Sequence, residues 1–354
     1  MYISFELVWF DSLGAKSSCT LVKTPDTSVL IDPGVAIMHP SFPASTVKKV
    51  LWRNQGKKAI ERASREAEVI IISHYHYDHY FPSEMSLYEG KLVVAKDPNQ
   101  YINDSQRSRA EDFYSKICEH FGGMKLESLL SEPRVKRFQN PLEELPLAMR
   151  KDFGDYNKRR EELLERGLSN FEKKVKKWNE WREIPEFEFK RLKIRFLEGK
   201  EIHLGSTKIR FTKPLFHGIE FSGLGWVFAT VIEHKGEKLL HSSDMNGPII
   251  EDYAEWIIKE NPDVLILDGP MTYMFGYLLN RINLNRAIEN VVRIIEETDT
   301  ELIIYDHHLV REARYRERTR EVWEAAERSK KKLLTAAEFL GEVPRVLESD
   351  CSSN

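Results

Sequence analysis

Cysteine is almost missing from this 354-residue chain, and the three that occur, Cys19, Cys118 and Cys351, lie far apart with no CxxC pair among them. That excludes a disulfide framework and a cysteine-built zinc site, and it reads as free thiols in a reducing cytoplasm. No apolar run reaches the roughly 20 residues needed to cross a bilayer. The opening stretch Tyr2 to Phe10 is strand-like and lacks the basic-then-apolar pattern of a signal peptide. The chain is therefore expected to work in the cytoplasm, off the membrane. Nor is one sign of charge in excess: 53 Lys and Arg stand against 56 Asp and Glu, for a net charge of -3. Such balance creates no broad field for polyanions, so a small-molecule substrate is favoured over nucleic acid, and a homo-oligomer is left open. Glutamine is scarce while 31% of residues are charged. This is a composition that fits a protein working hot, where ion pairs cost less to desolvate.

What is present begins with short strands and tight turns. Phe5 to Phe10 alternates and then runs apolar, Cys19 to Lys23 and Ser28 to Ile31 form a predicted hairpin about Pro25-Asp26-Thr27, and Asp32-Pro33-Gly34 breaks it. A helix over Lys57 to Ala67 precedes the apolar run Val69 to Ile72, and Leu92 to Ala95 reads as a further strand. Between about Asn99 and Arg195 the texture becomes charge-laced and helical, with Leu163, Leu164, Leu168, Phe171, Val175 and Trp178 at helical spacing. Acidic residues interleave with the basic ones there, which argues against a phosphate-tracking surface. Strands return at 195–197, 201–204, 208–211, 226–232 and 238–241. Two more, 264–267 and 301–305, flank a helix over 284–297, and 311–342 is predicted helical throughout. The organisation is thus a first half over 1–98, a helical insertion over 99–195 whose apolar face is expected to pack on its own protein, with lid or subunit contact as the alternative, a second half over 196–345, and a tail over 346–354.

Directly after the apolar run comes Ser73-His74-Tyr75-His76-Tyr77-Asp78-His79-Tyr80, three imidazoles and one carboxylate within six residues. A chain leaving a buried strand can converge side chains that regular structure would send to opposite faces. These donor types suit zinc and other borderline divalent ions. Further ligands must come from other strand ends, and three places qualify. They are His217 in Pro214-Leu215-Phe216-His217-Gly218, Asp244 in His241-Ser242-Ser243-Asp244, and the pair His307 and His308 in Asp306-His307-His308. His39, His120, His203 and His234 stand outside any ligand cluster and read as surface or locally bonded histidines, and His241 reads as structural. Asp268-Gly269-Pro270 fits a turn and a site equally well. The Asp11 to Ser18 loop, with Gly14 and Lys16, offers donors for an anion but lacks phosphate-loop spacing.

The order His-x-His-x-Asp-His, then His, Asp and His, preceded by Asp32 closing an early strand, resembles the metallo-β-lactamase superfamily. The Asp11 to Ser18 opening, Asp32-Pro33-Gly34 and the final Asp-His-His look like a mainly archaeal group of predicted hydrolases within it. The resemblance covers about Asp11 to His308 with the insertion excluded. It implies an α/β fold, a four-layer αββα sandwich with its site along one edge of the two sheets. It also implies that His74, His76 and His217 hold one metal, that Asp78, His79 and one of His307 and His308 hold a second, and that Asp244 bridges. Asp32 would orient a ligand imidazole or its loop from behind. The doubled histidine departs from the pattern, so the pair stays unresolved and the member that is not a ligand is free to protonate a leaving group.

Two divalent ions sharing a water lower its pKa enough to supply hydroxide near neutral pH, and a carboxylate such as Asp78 can hold that water in line. The expected function is therefore a metal-dependent hydrolase with two divalent ions, zinc before manganese or iron. Its expected substrate is a small phosphodiester or else an ester or lactone, with Asp78, His307 and His308 as catalytic groups. Two other classes compete. A di-iron redox enzyme on the same scaffold would need a flavin partner, and a binding protein could use the ions for stability alone.

Overall fold

A computed structural model describes residues 2–348. Two seven-stranded mixed sheets pack face to face. The first is built from β1 (Ser4–Phe10), β2 (Ser18–Lys23), β3 (Ser28–Ile31), β4 (Val69–Ile72), β5 (Lys91–Ala95), β6 (Phe187–Phe189) and β7 (Leu192–Arg195), in the order β1-β2-β3-β4-β5-β7-β6. The second half contributes β8 (Glu201–Leu204), β9 (Thr207–Phe211), β10 (Leu215–Phe216), β11 (Trp226–Val227), β12 (Thr230–His234), β13 (Glu237–His241), β14 (Val264–Asp268), β15 (Leu302–Asp306) and β16 (Lys332–Leu334). Of these, β10 pairs with β11 alone, and the rest form the sheet β16-β15-β14-β13-β12-β9-β8. In each sheet four adjacent strands run parallel, β3-β4-β5-β7 in one and β13-β14-β15-β16 in the other.

The layering follows from strands that are apolar on both faces. In β4, Val69 and Ile71 enter the core between the sheets while Ile70 and Ile72 enter the core beneath the helices. Ile266 and Ile304 likewise face the opposite sheet, with Leu265, Leu267, Ile303 and Tyr305 on the helical side. The helix Thr46–Glu66 covers the first sheet, and Glu251–Glu260, Arg281–Glu297 and Arg320–Arg328 cover the second. The result is a four-layer αββα sandwich. No helix among the described residues is long and apolar enough to cross a membrane.

Several elements differ from the sequence reading. The first helix begins at Thr46, eleven residues before the predicted start, capped by the Ser45 hydroxyl accepting from the Lys48 N–H. Val47, Val50 and Leu51 in its first turns are exposed, so no amphipathic period marks them. The stretch 226–232 is two strands, because the chain leaves β10 after Val227 and joins the second sheet at Thr230. The segment 311–342, expected to be helical throughout, is broken into Tyr315–Arg318, Arg320–Arg328, β16 and Ala336–Phe339. Its strand escapes notice because Lys330-Lys331-Lys332 masks it, yet Leu333 is buried against β15.

The excursion 99–195 holds the helices Asp104–Ile117 and Asn157–Glu180, but its last residues return as β6 and β7 to close an edge of the first sheet. Of the two, β6 is the edge strand, and its outward Glu188 suits that position. The face carrying Phe171 and Trp178 packs on its own protein, against Tyr101 and Trp226, and the Trp178 indole donates to the Ile102 carbonyl. Cys19 and Cys118 are buried free thiols. Cys351 and positions 349–354 of the predicted tail lie outside the described residues.

Candidate metal centre

Ligands outside the carboxyl ends of parallel strands are the general rule for open α/β sheets, and the polar residues of this chain collect there. Asp32 follows β3, His74 follows β4 by two residues, Asp244 lies three beyond β13, Asp268 ends β14 and His307 follows β15, while His217 follows β10 of the separate antiparallel pair. Gly34 explains how the His74 loop reaches the centre. A Cβ on it would sit 2.2 Å from the Tyr80 nitrogen and 2.5 Å from that of His79, so only glycine lets the two loops close on each other.

The structure brings all eight predicted donor residues together. The atoms of His74, His76, His217 and Asp244 that can ligate lie within 4.8 Å of one another, as do those of Asp78, His79 and His307 in a second set and of Asp244, His307 and His308 in a third. Asp244 stands at the middle. Its Oδ2 is 3.4 Å from His74 Nε2, 3.2 Å from His79 Nε2 and 3.1 Å from His217 Nε2, and its Oδ1 is 3.3 Å from His307 Nε2. Yet His79 Nε2, His217 Nε2, His307 Nε2 and Asp244 Oδ1 are all buried with no hydrogen-bond partner. Leaving buried polar atoms unpaired costs about 1–3 kcal/mol each. Donor atoms crowded about a carboxylate without aligned hydrogen bonds fit the coordination of cations, and the residues present thus fit divalent-metal binding.

The opposite ring nitrogens are anchored. Asp32 Oδ2 lies 2.9 Å from His79 Nδ1 and also accepts from the Ser73 hydroxyl, whose oxygen is 3.0 Å from His74 Nδ1. Asn246 reaches His217 Nδ1 at 3.1 Å through its amide, and its Oδ1 is unpartnered. A flipped amide would let Oδ1 accept the Nδ1 proton. His76 differs, turning Nδ1 inward to 3.0 Å from His74 Nε2. Such partners fix tautomer and ring orientation, leaving the inner nitrogen as a lone-pair donor.

The doubled histidine resolves into two different settings. His307 groups with Asp78 and His79, and its Nδ1 is 3.0 Å from Asp11 Oδ1. His308 Nε2 stands 4.0 Å from Asp244 Oδ2, and its Nδ1 is held at 2.9 Å by Asp268 Oδ1. Asp32, Ser243, Asn246 and His307 all adopt positive φ, at 49°, 54°, 54° and 56°. Left-handed backbone at four non-glycine residues is strain of the kind that clusters where geometry is functional.

Electrostatics follow the same division. Burial pushes His74 down to about 4 and His76 and His308 well below the ordinary imidazole value, so these rings are neutral. Burial opposes charge on His79 as well, but Asp244 and then Asp32 outweigh it and raise the ring to about 10. Burial would raise Asp244, yet the surrounding imidazoles, His79 foremost, hold it well below the carboxylate range.

Some residues that build this centre have a role that the sequence does not reveal. Asp11 is fully buried, pairs with the guanidinium of Arg311 and accepts the Ser17 N–H. Arg311 Nη2 in turn lies 3.5 Å from Asp78 Oδ2. The Asp11 to Ser18 loop is therefore more than a turn. Asp268, divided evenly between turn and site by its sequence, belongs to the site. His241 is structural, with Nε2 2.9 Å from the Ser18 carbonyl, His203 is exposed, and His39 is half-buried with Nδ1 2.8 Å from the Ser41 hydroxyl. His234 is buried against Thr207, away from the centre. Above the cluster opens a cleft of about 310 Å³ lined by His76, Asp78, His217 and His308 together with Lys16, Arg109, Arg311 and Tyr273.

The chain is similar to known proteins over most of its length. Residues 14–99 match the metallo-β-lactamase superfamily. A UPF0282 protein of Methanopyrus kandleri is 30% identical over 355 residues, covering 96% of this chain and 94% of that protein. One from Korarchaeum cryptofilum is 30% identical over 341 residues, with 96% and 90% covered. Among solved structures, the metallo-β-lactamase fold protein YhfI of Bacillus subtilis aligns over 94% of this chain and 96% of its own, with 14% identity and a TM-score of 0.43. The chain belongs to the UPF0282 family, within the metallo-β-lactamase superfamily, and has the metallo-β-lactamase fold.

Proposed function

We propose that this protein is a hydrolase that holds two divalent ions and cleaves a small phosphodiester. His74, His76 and His217 would hold one ion, Asp78, His79 and His307 the other, and Asp244 would be shared. The observation that carries this reading is the set of buried, unpartnered ring nitrogens converging on Asp244 at the floor of a cleft. Two such ions supply Lewis acidity, bring the pKa of water towards neutrality and clamp both oxygens of an in-line displacement.

The chain's own groups do the rest. Asp32, Ser73, Asn246 and Asp11 orient the imidazoles, and Arg311 fixes Asp11 while leaning on Asp78. His308 takes a role different from leaving-group protonation. Both oxygens of Asp268 accept backbone N–H groups, from His308 and Asn246, and burial with the Asp244 charge leaves this carboxyl ionised above about 7. Burial, Arg311 and His307 keep the His308 ring neutral, and added cations would act in the same direction. With its proton on Nδ1 toward Asp268, His308 offers Nε2 to the cleft as a proton acceptor, suited to drawing a proton from the attacking water.

Protein loaded with zinc or manganese is expected to hold two ions per chain by elemental analysis and to hydrolyse bis(p-nitrophenyl) phosphate. One ion or none, with no turnover, sinks the proposal. Metal binding should also be linked to protons, because a cation must displace the one His79 carries below about 10. Calorimetry near neutral pH in buffers of different ionisation enthalpy should show release of at least one proton per chain. The sign for stability is equally definite. A raised imidazole stabilises the metal-free fold fully below its unfolded value of 6.5, and that contribution is lost as pH rises through about 10. Thermal melts of chelated protein should therefore fall across that window.

A further inference from the structure

The cleft above the centre is lined by three cations, and their charges are not equally committed. Arg311 is consumed within the protein, paired with buried Asp11, 3.5 Å from Asp78 and donating to the Tyr273 hydroxyl. Lys16 and Arg109 are different. The half-buried Lys16 ammonium makes no hydrogen bond and has no carboxylate within 4.0 Å among the described residues, with Asp78 and Asp11 acting on it only from farther away. Arg109 gives one N–H to the Tyr75 carbonyl and lies 5.1 Å over the Tyr77 ring, again with no carboxylate within 4.0 Å among the described residues. Elsewhere in this chain Lys and Arg are widely paired, in contacts such as Lys57 with Glu84, Arg210 with Glu260 and Arg286 with both Glu220 and Glu251. Two cations in one cleft without a carboxylate in direct contact are therefore complementary to an anion brought from outside.

The scissile phosphodiester carries one negative charge and would face the ions on the cleft floor. A phosphate monoester carries a charge of about -1.5 to -2 near neutral pH and offers three acceptor oxygens. It matches two cations, one a point charge and the other a planar donor fork. We infer that Lys16 and Arg109 form a specificity site for a terminal phosphate, so that the preferred substrate is a small phosphodiester that also bears a phosphate monoester. This rests on the phosphodiesterase reading above.

Thymidine 5′-(p-nitrophenyl phosphate), with and without a 3′-phosphate, isolates the difference. The wild-type protein should favour the 3′-phosphorylated probe by about tenfold or more in kcat/KM, the scale of a charge-assisted contact. In the Lys16→Gln/Arg109→Gln double variant the ratio should fall to near one, and Lys16→Arg/Arg109→Lys should recover part of it. A second readout needs no turnover. Metal-free wild-type protein should bind thymidine 3′,5′-bisphosphate about tenfold more tightly than thymidine 5′-phosphate, and the Gln double variant should not distinguish them. Equal efficiency on both ester probes, or a preference that persists in the Gln variant, overturns the inference. If neither ester is hydrolysed while the bisphosphate preference holds and is lost in the variant, it is the hydrolase reading that fails and the anion site that stands.

Discussion

Replacing Asp244 with Ala is expected to empty the centre. Its two oxygens lie 3.1–3.4 Å from four imidazole nitrogens drawn from three separate stretches of chain. Partners that merely orient a metal ligand typically cost about 10–100-fold in affinity or activity when removed, so a group shared by both ions should cost on the order of 10³-fold or more. Metal content should fall from the proposed two ions per chain to less than about half of one, since Asp244 is the carboxylate proposed to be shared between them. Asp244→Asn keeps the shape, removes the charge and should fail in the same way, which separates lost coordination from a collapsed loop. The thermal signature follows by mass action. Wild-type protein in metal at about a thousandfold over Kd gains about 4 kcal/mol of stability, and the variants should gain almost none. Two ions retained in Asp244→Ala, by elemental analysis of dialysed protein, would remove Asp244 from the bridging position and the shared site with it.

The parts of this centre that can be read from sequence are those in which chemistry is dense along the chain. His74, His76, Asp78 and His79 announce themselves because four donor residues within six positions rarely occur in a loop that binds nothing, and the buried Val69–Ile72 strand fixes where they emerge. His217, Asp244 and the His307 pair are placed by strand ends and by family resemblance, a weaker but sufficient signal. The pairing of Asp11 with His307 and Arg311 is not legible, although the Asp11 loop itself stands out. Asp11 serves His307 across 296 residues of sequence and Arg311 across 300, so neither spacing nor periodicity can join them. For the fold, apolar strands buried on both faces stand out, while elements whose ends are charged do not. β16 is hidden behind three lysines, and the first turns of Thr46–Glu66 expose Val47 and Leu51 to solvent. Such segments are held by tertiary contacts that overrule local pattern.

The adjacent histidines give the sharpest remaining test, because identical side chains one residue apart should fail differently. His307 sits with Asp78 and His79, is backed by Asp11, and is held at a φ of 56° that throws its ring inward. His307→Ala should lose one ion per chain and reduce turnover on the order of 10³-fold or more, as for the shared carboxylate. His308 is 4.0 Å from Asp244 at its inner nitrogen and opens on the cleft. His308→Ala should keep both ions and lower kcat by about 10²–10⁴-fold, the usual worth of a positioned base, with little change in KM. Leaving-group dependence then separates base from acid. A p-nitrophenolate departs without help, whereas an alkoxide needs a proton, so a missing acid is felt far more strongly with an alkyl ester. A base acting on the attacking water gives similar losses for both. The neutral ring of His308, tied to Asp268 through Nδ1, leads us to expect similar losses. A deficit confined to the alkyl phosphodiester would return His308 to the role of proton donor, and loss of one ion in His308→Ala in place of His307→Ala would exchange the two assignments.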